Sequence, residues 1–321
     1  MWMPNVCPKR TAFATLAAFV CALGLLTGCS STAPAAQPEP GAMLLAAWPV
    51  QLSTLAQTNT LPQILLLGEQ HDAPEHQQWE HATVQWLAAR HQLAAVALEM
   101  AHAGHDTRHL PIDATPEQVQ NALDWRSAGW PWEPYAATVM TAVRAGIPVI
   151  GGNLPRSEMR AIMGQPQWDQ HLPDIAWQRQ RRAIDTGHCG LLPETQLTPM
   201  ARVQLAKDAR MAEAAAAHMV NGKTVVLIAG RGHVLRSLGI PTWLPAHLHI
   251  GVAVAEAHNS IPTPVADRNW LVQTPPLPPE DHCTQLRAQW RTPSTNAARI
   301  DSAPGGQKPA APSPTLPPGG K

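Results

Sequence analysis

Two segments that lie far apart in the chain share one pattern: an apolar run, a glycine, two residues and a histidine. The first spans residues 64–72 (ILLLGEQHD) and contains Glu69 and His71, and the second spans residues 224–233 (TVVLIAGRGH) and ends at His233. Imidazole and carboxylate groups bind metal ions and carry protons in proteins. Their recurrence after two apolar runs indicates a functional site built from both segments.

The apolar runs predict the elements that would position these groups. Four or more consecutive apolar residues between turn signals are typical of a buried strand in a parallel sheet. Two further strands are predicted over residues 94–100 (AAVALEM) and 148–154 (PVIGGNL). Strands alternate with helical patterns, which predicts an α/β fold: a single domain with a largely parallel central sheet, helices on both faces and both G-x-x-H motifs at the carboxyl edge.

Polar side chains at the carboxyl ends of these strands are expected to meet, because open parallel sheets bind their ligands outside this edge. Besides the groups named above, they include Glu99, Arg156 and Arg231. A helix predicted to open just before Tyr135, the only tyrosine of the chain, places its hydroxyl near the same crevice. Each side chain also has a structural interpretation, for example a buried ion pair between Glu99 and Arg156.

Two helices carry start signals. Asp72, with a glutamate three residues later, matches a capping box for the helix after the first motif. Thr198 followed by Pro199 predicts the start of a long helix that ends near residue 220. Lys207 and Asp208 fall in the middle of that helix, where charged residues are usually on a solvated face.

The N-terminal residues predict export and lipidation. A basic pair precedes an apolar run over residues 12–26, which is too short to span a bilayer and has the length of a signal-peptide core. Residues 26–29 (LTGC) resemble a bacterial lipoprotein processing box, which implies cleavage before Cys29 and its acylation. We therefore expect a lipid-anchored protein of the bacterial cell envelope, in the outer membrane. An ordinary cleaved signal peptide is the alternative.

Length and composition favour one folded domain between flexible ends. The predicted divisions are a signal peptide (1–28), the lipidated Cys and a flexible tether (29–43), the α/β domain (44–290) and a disordered Pro-rich tail (291–321). The formal net charge of the 321 residues is zero, which argues against nucleic-acid binding because that function requires a basic surface. Fifteen histidines are compatible with metal or cofactor binding but do not decide it.

The cysteines predict one disulfide. Two cysteines precede the cleavage site and Cys29 is the lipidation site, which leaves Cys189 and Cys283. The cell envelope is an oxidising compartment, so we expect these two thiols to pair, within one molecule or across two.

Several motifs in order resemble the ChaN-like lipoproteins, over roughly residues 44–285. They are LLLGEQHD, ALEM, GIPVIGGNLPR, HCG, QLAKDARMAE and LIAGRGHVLRSLGIP. These proteins belong to a superfamily with the Tiki-type proteases, TraB proteins and erythromycin esterases. The resemblance implies an envelope protein that binds haem, acts in haem or iron acquisition, forms a homodimer and works with an outer-membrane haem receptor.

The superfamily also supplies a rival hypothesis. In its hydrolytic members the two histidines and the strand-end carboxylates take part in hydrolysis. Glu69, His71, Glu99 and His233 are the ligand and acid–base types that a divalent metal such as zinc needs for this chemistry. A metal-dependent hydrolase is therefore the second hypothesis, and a purely structural lipoprotein is the third.

The resemblance to haem-binding proteins directs attention to the iron ligand. Haem iron is held by His, Cys thiolate, Met or Tyr, and a phenolate suits ferric iron. Tyr135 is the predicted ligand, with packing among tryptophans as the alternative and with His71 and His188 as further candidates. The haem propionates need cations, for which Arg156, Lys207 and Arg231 are candidates, and His233 completes the predicted cofactor site.

Overall fold

Seven short, mainly apolar strands form one sheet in the structure, a computed structural model that describes residues 42–290. They are β1 (Ala42–Leu44), β2 (Ile64–Glu69), β3 (Leu93–His102), β4 (Val149–Asn153), β5 (Thr224–Gly230), β6 (Ile250–Ala257) and β7 (Trp270–Thr274). The predicted signal peptide (1–28), Cys29 with most of its tether, and the predicted tail (291–321) lie outside the described residues.

Helices connect these strands. The α-helices between residues 42 and 290 are α1 (Trp48–Gln57), α2 (Pro74–Ala89), α3 (Pro116–Ala122), α4 (Glu133–Arg144), α5 (Arg156–Met163), α6 (Asp174–Gly187), α7 (Glu194–Ala217), α8 (Arg231–Val234) and α9 (His282–Trp290). None of them combines the length and the hydropathy that a membrane span requires. Short 3-10 helices lie at Pro166–Gln170 and Ile240–Trp243.

The strand order is β1-β7-β6-β2-β5-β3-β4, and every neighbouring pair is parallel. Pairing of β2 with β5 sets Gly68 opposite Ala229 and Glu69 opposite Gly230. The two G-x-x-H motifs therefore leave the sheet side by side at its carboxyl edge. The predicted fold class, including the parallel sheet and the position of the motifs, is confirmed.

Side chains alternate between two cores, one on each face of the sheet. Leu65 and Leu67 of β2 pack in the core covered by α1, α2 and α4, whereas Ile64 and Leu66 pack in the core covered by α7. All four are fully buried, and burying one such side chain contributes about 1.5–3 kcal/mol. Because β2 is fixed from both faces, the site at its carboxyl end rests on a rigid support.

The predicted capping box before α2 is wrong. The helix begins at Pro74 with Ala73 as its N-cap, so Asp72 lies one residue too early, and no side chain caps the helix. Instead, the backbone N–H of Gln70 donates to Nδ1 of His76 at 2.9 Å. Burial lowers the pKa of His76 to about 4, so its imidazole stays neutral and can accept this bond. The histidine therefore anchors the first motif to the helix that follows it.

The predicted start of α7 is also wrong. The helix begins at Glu194, after the N-cap Pro193, and Pro199 lies inside it. A proline inside a helix removes one N–H bond and crowds the carbonyl four residues earlier, and here that carbonyl belongs to the first turn. Thr198 is therefore a helical residue rather than a cap, and the helix is one turn longer at its N-terminus than the sequence indicated.

A disulfide joins the C-terminal helix to the rest of the fold. Cys189 lies in the turn between α6 and α7, and it is bonded to Cys283 of α9 with a Cα–Cα separation of 5.6 Å. This is the pairing expected from the sequence, and it lies within one molecule.

Candidate functional site

The carboxyl ends of β2, β3 and β5 bring both motifs and Glu99 into one cluster. The Glu99 carboxylate lies between the two histidines: its Oε2 is 3.8 Å from Nε2 of His71 and its Oε1 is 3.3 Å from Nε2 of His233. The prediction that both imidazoles lie at one edge of the sheet and share a carboxylate is therefore confirmed. Glu99 is the shared group.

Gly230 makes this approach possible. Its backbone N–H donates to Oε2 of Glu99 at 2.8 Å, which fixes the carboxylate against the end of β5. A Cβ at this position would lie 2.8 Å from Nε2 of His71, closer than van der Waals contact allows. The second motif thus leaves room for the histidine of the first.

Glu69 organises the other side of the cluster. Its buried carboxylate accepts hydrogen bonds from Nδ1 of His71 and from the hydroxyl of Tyr135, both at 2.8 Å, and from the side-chain amide of Gln77. Burial lowers the pKa of His71, but the hydrogen bond and charge of Glu69 and the charge of Glu99 outweigh it, so the pKa is raised. Glu69 therefore orients the His71 ring through Nδ1 and leaves Nε2 on the side of Glu99.

His233 lies between two carboxylates. Its Nδ1 is 2.5 Å from Oδ1 of Asp208, and its Nε2 faces Glu99. Burial acts against the charged ring, but Glu99 and Asp208 raise the pKa of His233 to about 10. At neutral pH the ring is an imidazolium.

The carboxylates around His233 respond to burial and to its charge. Burial raises the pKa of Asp208 to about 6, against the opposing effect of His233. Burial also disfavours the ionised form of Glu99, but His233 and Lys207 hold the pKa of that carboxyl well below its usual range. Both carboxylates are therefore ionised at neutral pH, and with Lys207, whose Nζ is 3.9 Å from Glu99, the four charges balance.

Tyr135 lies behind this cluster rather than at its surface. The residue is 2% exposed, its hydroxyl donates to Glu69, and its ring contacts Trp125 and Trp130. Burial and the negative charge of Glu69 raise the pKa of Tyr135 well above its usual range. In this arrangement the residue is a neutral hydrogen-bond donor, and its ligation of haem iron stays a prediction.

The accessible part of the cluster is His71. Its side chain is 37% exposed, more than any other histidine or carboxylate of the cluster. The edge of the imidazole meets Trp130 at a centroid distance of 4.6 Å. The neighbouring Gly129 is close to Arg156, whose Nη2 would be 3.5 Å from a Cβ there. An imidazole and an indole thus adjoin at the exposed side of the cluster, and the Arg156 guanidinium lies beside the glycine that precedes the indole.

The three predicted cations differ in how they are paired. Lys207 faces Glu99, and Arg231 lies 3.6 Å from Glu256 and donates to the backbone oxygen of Ile261 at 3.0 Å. Arg156 is exposed, and no acidic side chain among residues 42–290 forms an ion pair with it. Arg156 is therefore the cation most available to an anionic ligand.

The described side chains give the metal-dependent hydrolase no support. Across residues 42–290, no three His, Cys, Asp or Glu side chains are arranged to hold a metal ion. Both nitrogens of His233 face carboxylates, and Nδ1 of His71 and the carboxylate of Glu69 are bonded to each other. Of the groups expected to be ligands, only Nε2 of His71 is without a hydrogen bond to another member of the cluster. His188, the further candidate for haem iron, lies elsewhere, at the C-terminal end of α6, where its Nδ1 contacts the backbone oxygen of Ile184.

Two members of the cluster were missed by the sequence analysis. Gln77 holds Glu69, and Asp208, expected on a solvated face, is 2% exposed and holds His233. A signal was present for Asp208: it falls on the same helical stripe as the buried residues Leu205 and Ala212. A charged residue on an apolar stripe predicts a buried polar contact better than it predicts a solvated face.

The fold and the site define a class: parallel α/β proteins in which two strand-G-x-x-H motifs meet at the carboxyl edge around a shared carboxylate. Residues 55–244 match the model of a family described as "Haem-binding uptake, Tiki superfamily, ChaN". The match covers more than half of the chain, so the protein belongs to the ChaN family of the Tiki superfamily. No curated protein matches the chain.

Solved structures with a similar fold include a member of the same family. The structure titled "Cofacial heme binding to ChaN of Campylobacter jejuni" aligns with a TM-score of 0.56 and 24% identity, over 68% of this chain and 90% of that one. The type III effector HopBA1 aligns with a TM-score of 0.45 and 15% identity, over 77% of this chain and 100% of that one. At 24% identity, the similarity to the Campylobacter jejuni structure concerns the fold.

Proposed function

We propose that this protein binds haem at the carboxyl edge of its sheet, as cargo in haem or iron acquisition. The observation that carries the proposal is the family match, which includes both G-x-x-H motifs. The ChaN structure from Campylobacter jejuni, whose title describes cofacial heme binding, has the same fold.

The side chains at the mouth of the site fit such a ligand. Haem needs an axial ligand, an apolar surface and a cation for its propionates. His71 supplies an exposed imidazole, Trp130 an aromatic surface, and Arg156 an unpaired guanidinium. The other predicted cofactor-binding residues then act indirectly, through the positive charge that they place behind the site. They are Lys207, Arg231 and His233.

Two side chains compete as the iron ligand. Tyr135 was predicted from the sequence, but its hydroxyl is buried and held by Glu69, and it would have to lose its proton to bind ferric iron. His71 is already exposed and is oriented by Glu69 through Nδ1. Hydrogen bonding of the second ring nitrogen to a carboxylate is the usual support for a ligating histidine. The described arrangement therefore favours His71.

The test is a titration with ferric haem, followed by visible absorbance, of the wild type and the single variants His71→Ala and Tyr135→Phe. We expect saturable binding by the wild type, at least about tenfold weaker binding by His71→Ala because an axial ligand is lost, and a nearly unchanged spectrum for Tyr135→Phe. His247→Ala, which changes an exposed histidine outside the cluster, is the matched control.

The outcomes separate the alternatives. Loss of haem binding and a changed absorbance spectrum in Tyr135→Phe, with His71→Ala unaffected, would return the ligand role to Tyr135. If the wild type does not bind haem at all, haem binding itself is refuted. A variant of Arg156 adds a further check: Arg156→Ala should weaken haem binding, whereas Arg160→Ala in the same helix should not.

We also propose that haem is bound between two copies of the chain. A haem bound to the exposed side chain of His71 would have its outer face open to water. A second copy of the chain placed over this edge of the sheet would cover that face of the haem. Sedimentation of the wild type with and without haem tests this, with a haem-dependent dimer as the expected result. A monomer at saturating haem would contradict it.

We propose that the protein is anchored in the outer membrane through Cys29 and transfers haem in contact with an outer-membrane haem receptor. The processing box at residues 26–29 supports the anchor. We expect the wild type to partition into the detergent phase and Cys29→Ser to remain in the aqueous phase, because several acyl chains give stable membrane attachment. Detergent partitioning of Cys29→Ser equal to that of the wild type would contradict lipidation.

A further inference from the structure

A cleft lies apart from the carboxyl-edge cluster and shares no residue with it. It has a volume of about 330 Å³ and lies between the two 3-10 helices Pro166–Gln170 and Ile240–Trp243. Its lining consists of Gln167, Trp168, Gln170, His171 and Trp243. This volume is at the lower end of the range of small-molecule sites, which are typically lined by aromatic groups with a few polar ones.

The aromatic walls of the cleft are held in place. His171 stacks on Trp243 at a centroid distance of 3.4 Å and an interplanar angle of 6°. Trp168 meets Trp243 at 5.6 Å and 59°, and its indole N–H donates to Oε1 of Gln165 at 3.0 Å. Two indoles at this angle form a corner rather than a slot between parallel faces.

Hydrogen bonding fixes the tautomer of His171. The hydroxyl of Thr242 donates to the backbone oxygen of Gly239 at 2.8 Å, so its oxygen must accept from Nε2–H of His171, also at 2.8 Å. Burial lowers the pKa of His171, which keeps the ring neutral. Nδ1 therefore remains as an acceptor, and no described residue donates to it.

The other polar groups of the cleft are also available. The amide of Gln170 has no hydrogen-bond partner among residues 42–290, and Gln167 uses only its NH₂ group, toward Gln165. The indole N–H of Trp243 is buried and has no partner within the described part of the chain, so it does not face the open cleft. No charged side chain lines the cleft. The lining thus offers uncharged donors and acceptors beside an aromatic corner.

We infer that this cleft binds one ring of a neutral saccharide. A puckered sugar ring presents C–H groups on its faces and hydroxyls at its rim. The angled indoles of Trp168 and Trp243 suit the faces, and the amides of Gln167 and Gln170 suit the hydroxyls. A flat aromatic ligand would need parallel walls, and a charged ligand would need an opposite charge in the lining.

The test is calorimetric titration with maltotriose and chitotriose, two neutral saccharides, and with trigalacturonate as a charged counterpart. We expect saturable binding of at least one neutral trisaccharide and none of the trigalacturonate. Trp168→Ala should weaken that binding at least about tenfold through loss of an aromatic wall. Gln170→Ala, a change at an exposed residue that does not endanger the fold, should weaken it about fivefold through loss of hydrogen bonds.

Two controls keep the result specific. Gln178→Ala, an exposed glutamine of α6 outside the cleft, should bind as the wild type does. His71→Ala should also keep saccharide binding, so a failure of the haem proposal leaves this one standing. Absence of binding to both neutral trisaccharides, or binding that survives both Trp168→Ala and Gln170→Ala, would overturn the inference.

Discussion

At the scale of single residues, the site depends on a charged histidine held inside the protein. His233 is in contact with Asp208 and Glu99, and its side chain is 14% exposed. An ion pair at such a depth is stabilising only where each charge has partners, since removing one partner leaves the other uncompensated. Here Lys207 offsets the second carboxylate, so the group is balanced as a unit.

The charge of His233 predicts how stability varies with pH. Its pKa in the folded protein, about 10, lies above the ordinary value of 6.5, so the folded state binds this proton more tightly than the unfolded chain. The contribution is fully present below pH 6.5 and is lost as the pH rises toward 10. We expect the free energy of unfolding of the wild type, relative to that of His233→Gln, to fall by about 3 kcal/mol between pH 6.5 and 9.5.

Urea unfolding of both proteins across this pH range makes the comparison. Titrating groups remote from His233 cancel because both chains contain them, whereas Asp208 and Glu99 are followed separately by NMR because His233 lowers the pKa of both. Parallel stability curves would contradict the prediction. If His233→Gln does not fold, titration of the wild-type imidazole by NMR gives the same information, and a midpoint near 6.5 would be the contrary result.

At the scale of elements, the close approach of the two motifs rests on a glycine at the end of β5. In Gly230→Ala the new methyl group would lie 2.8 Å from Nε2 of His71 and 3.4 Å from Oε2 of Glu99. We expect the imidazole to be displaced from Glu69, with a loss of stability of about 1–3 kcal/mol, as is usual for overpacking. Urea unfolding measures the stability, and the haem titration reports whether the displaced ring still binds.

The second motif contains its own control. Gly232 lies two residues further on, and a Cβ there would meet no atom within 4 Å. Gly232→Ala should therefore leave stability and the position of His71 unchanged, or raise stability slightly because alanine favours the helical backbone of α8. Equal effects of the two substitutions would show that crowding against His71 is not the cause.

The sequence predicted β2, β3 and β5 because each contains a continuous apolar run, whereas the three-residue β1 was not predicted. It also predicted which strand ends carry the site, since parallel strands share one carboxyl edge. The register that sets Glu69 opposite Gly230 joins residues far apart in the chain, and no local pattern records it. The sequence therefore predicted that both motifs meet at one edge, but not that β2 and β5 are neighbouring strands.

Helix faces were predicted less well, and for a physical reason. In α2 the residues Trp79, Ala82, Trp86 and Ala89 recur at helical spacing, which is typical of a buried stripe, but Ala82 and Ala89 are exposed. The buried stripe instead contains polar residues: His76, Gln77, Glu80 and Thr83. His76 and Gln77 contact the first motif, and Thr83 accepts from Trp48 in the core. Polar and apolar residues therefore share the inner face of α2, and a hydrophobicity pattern indicates only part of it.

At the scale of the whole molecule, the polar cluster and the elements that stabilise the fold occupy different regions. The sheet and its two cores hold the strand ends, and the polar cluster occupies only the carboxyl edge. The C-terminal helix α9 is attached elsewhere, by the disulfide to the turn between α6 and α7. Residues 164–193, which contain that turn, lie between β4 and α7 and contribute no group to the Glu69–Glu99 cluster.

The disulfide should therefore affect stability without affecting the site. Cys189 and Cys283 are separated by 94 residues, and in the chain-entropy model closing a loop of this length stabilises the fold by about 3–5 kcal/mol. We expect the double variant Cys189→Ser/Cys283→Ser to lose roughly this much free energy of unfolding in urea while keeping the wild-type haem affinity.

The matched control is Ser127→Ala/Ser157→Ala, two exposed serines whose change should alter neither quantity. Two free thiols titrated in unfolded, unreduced wild type, or equal urea midpoints for the oxidised protein and the double cysteine variant, would refute the role of the disulfide. A loss of haem affinity in that variant would instead show that α9 and the carboxyl edge are coupled.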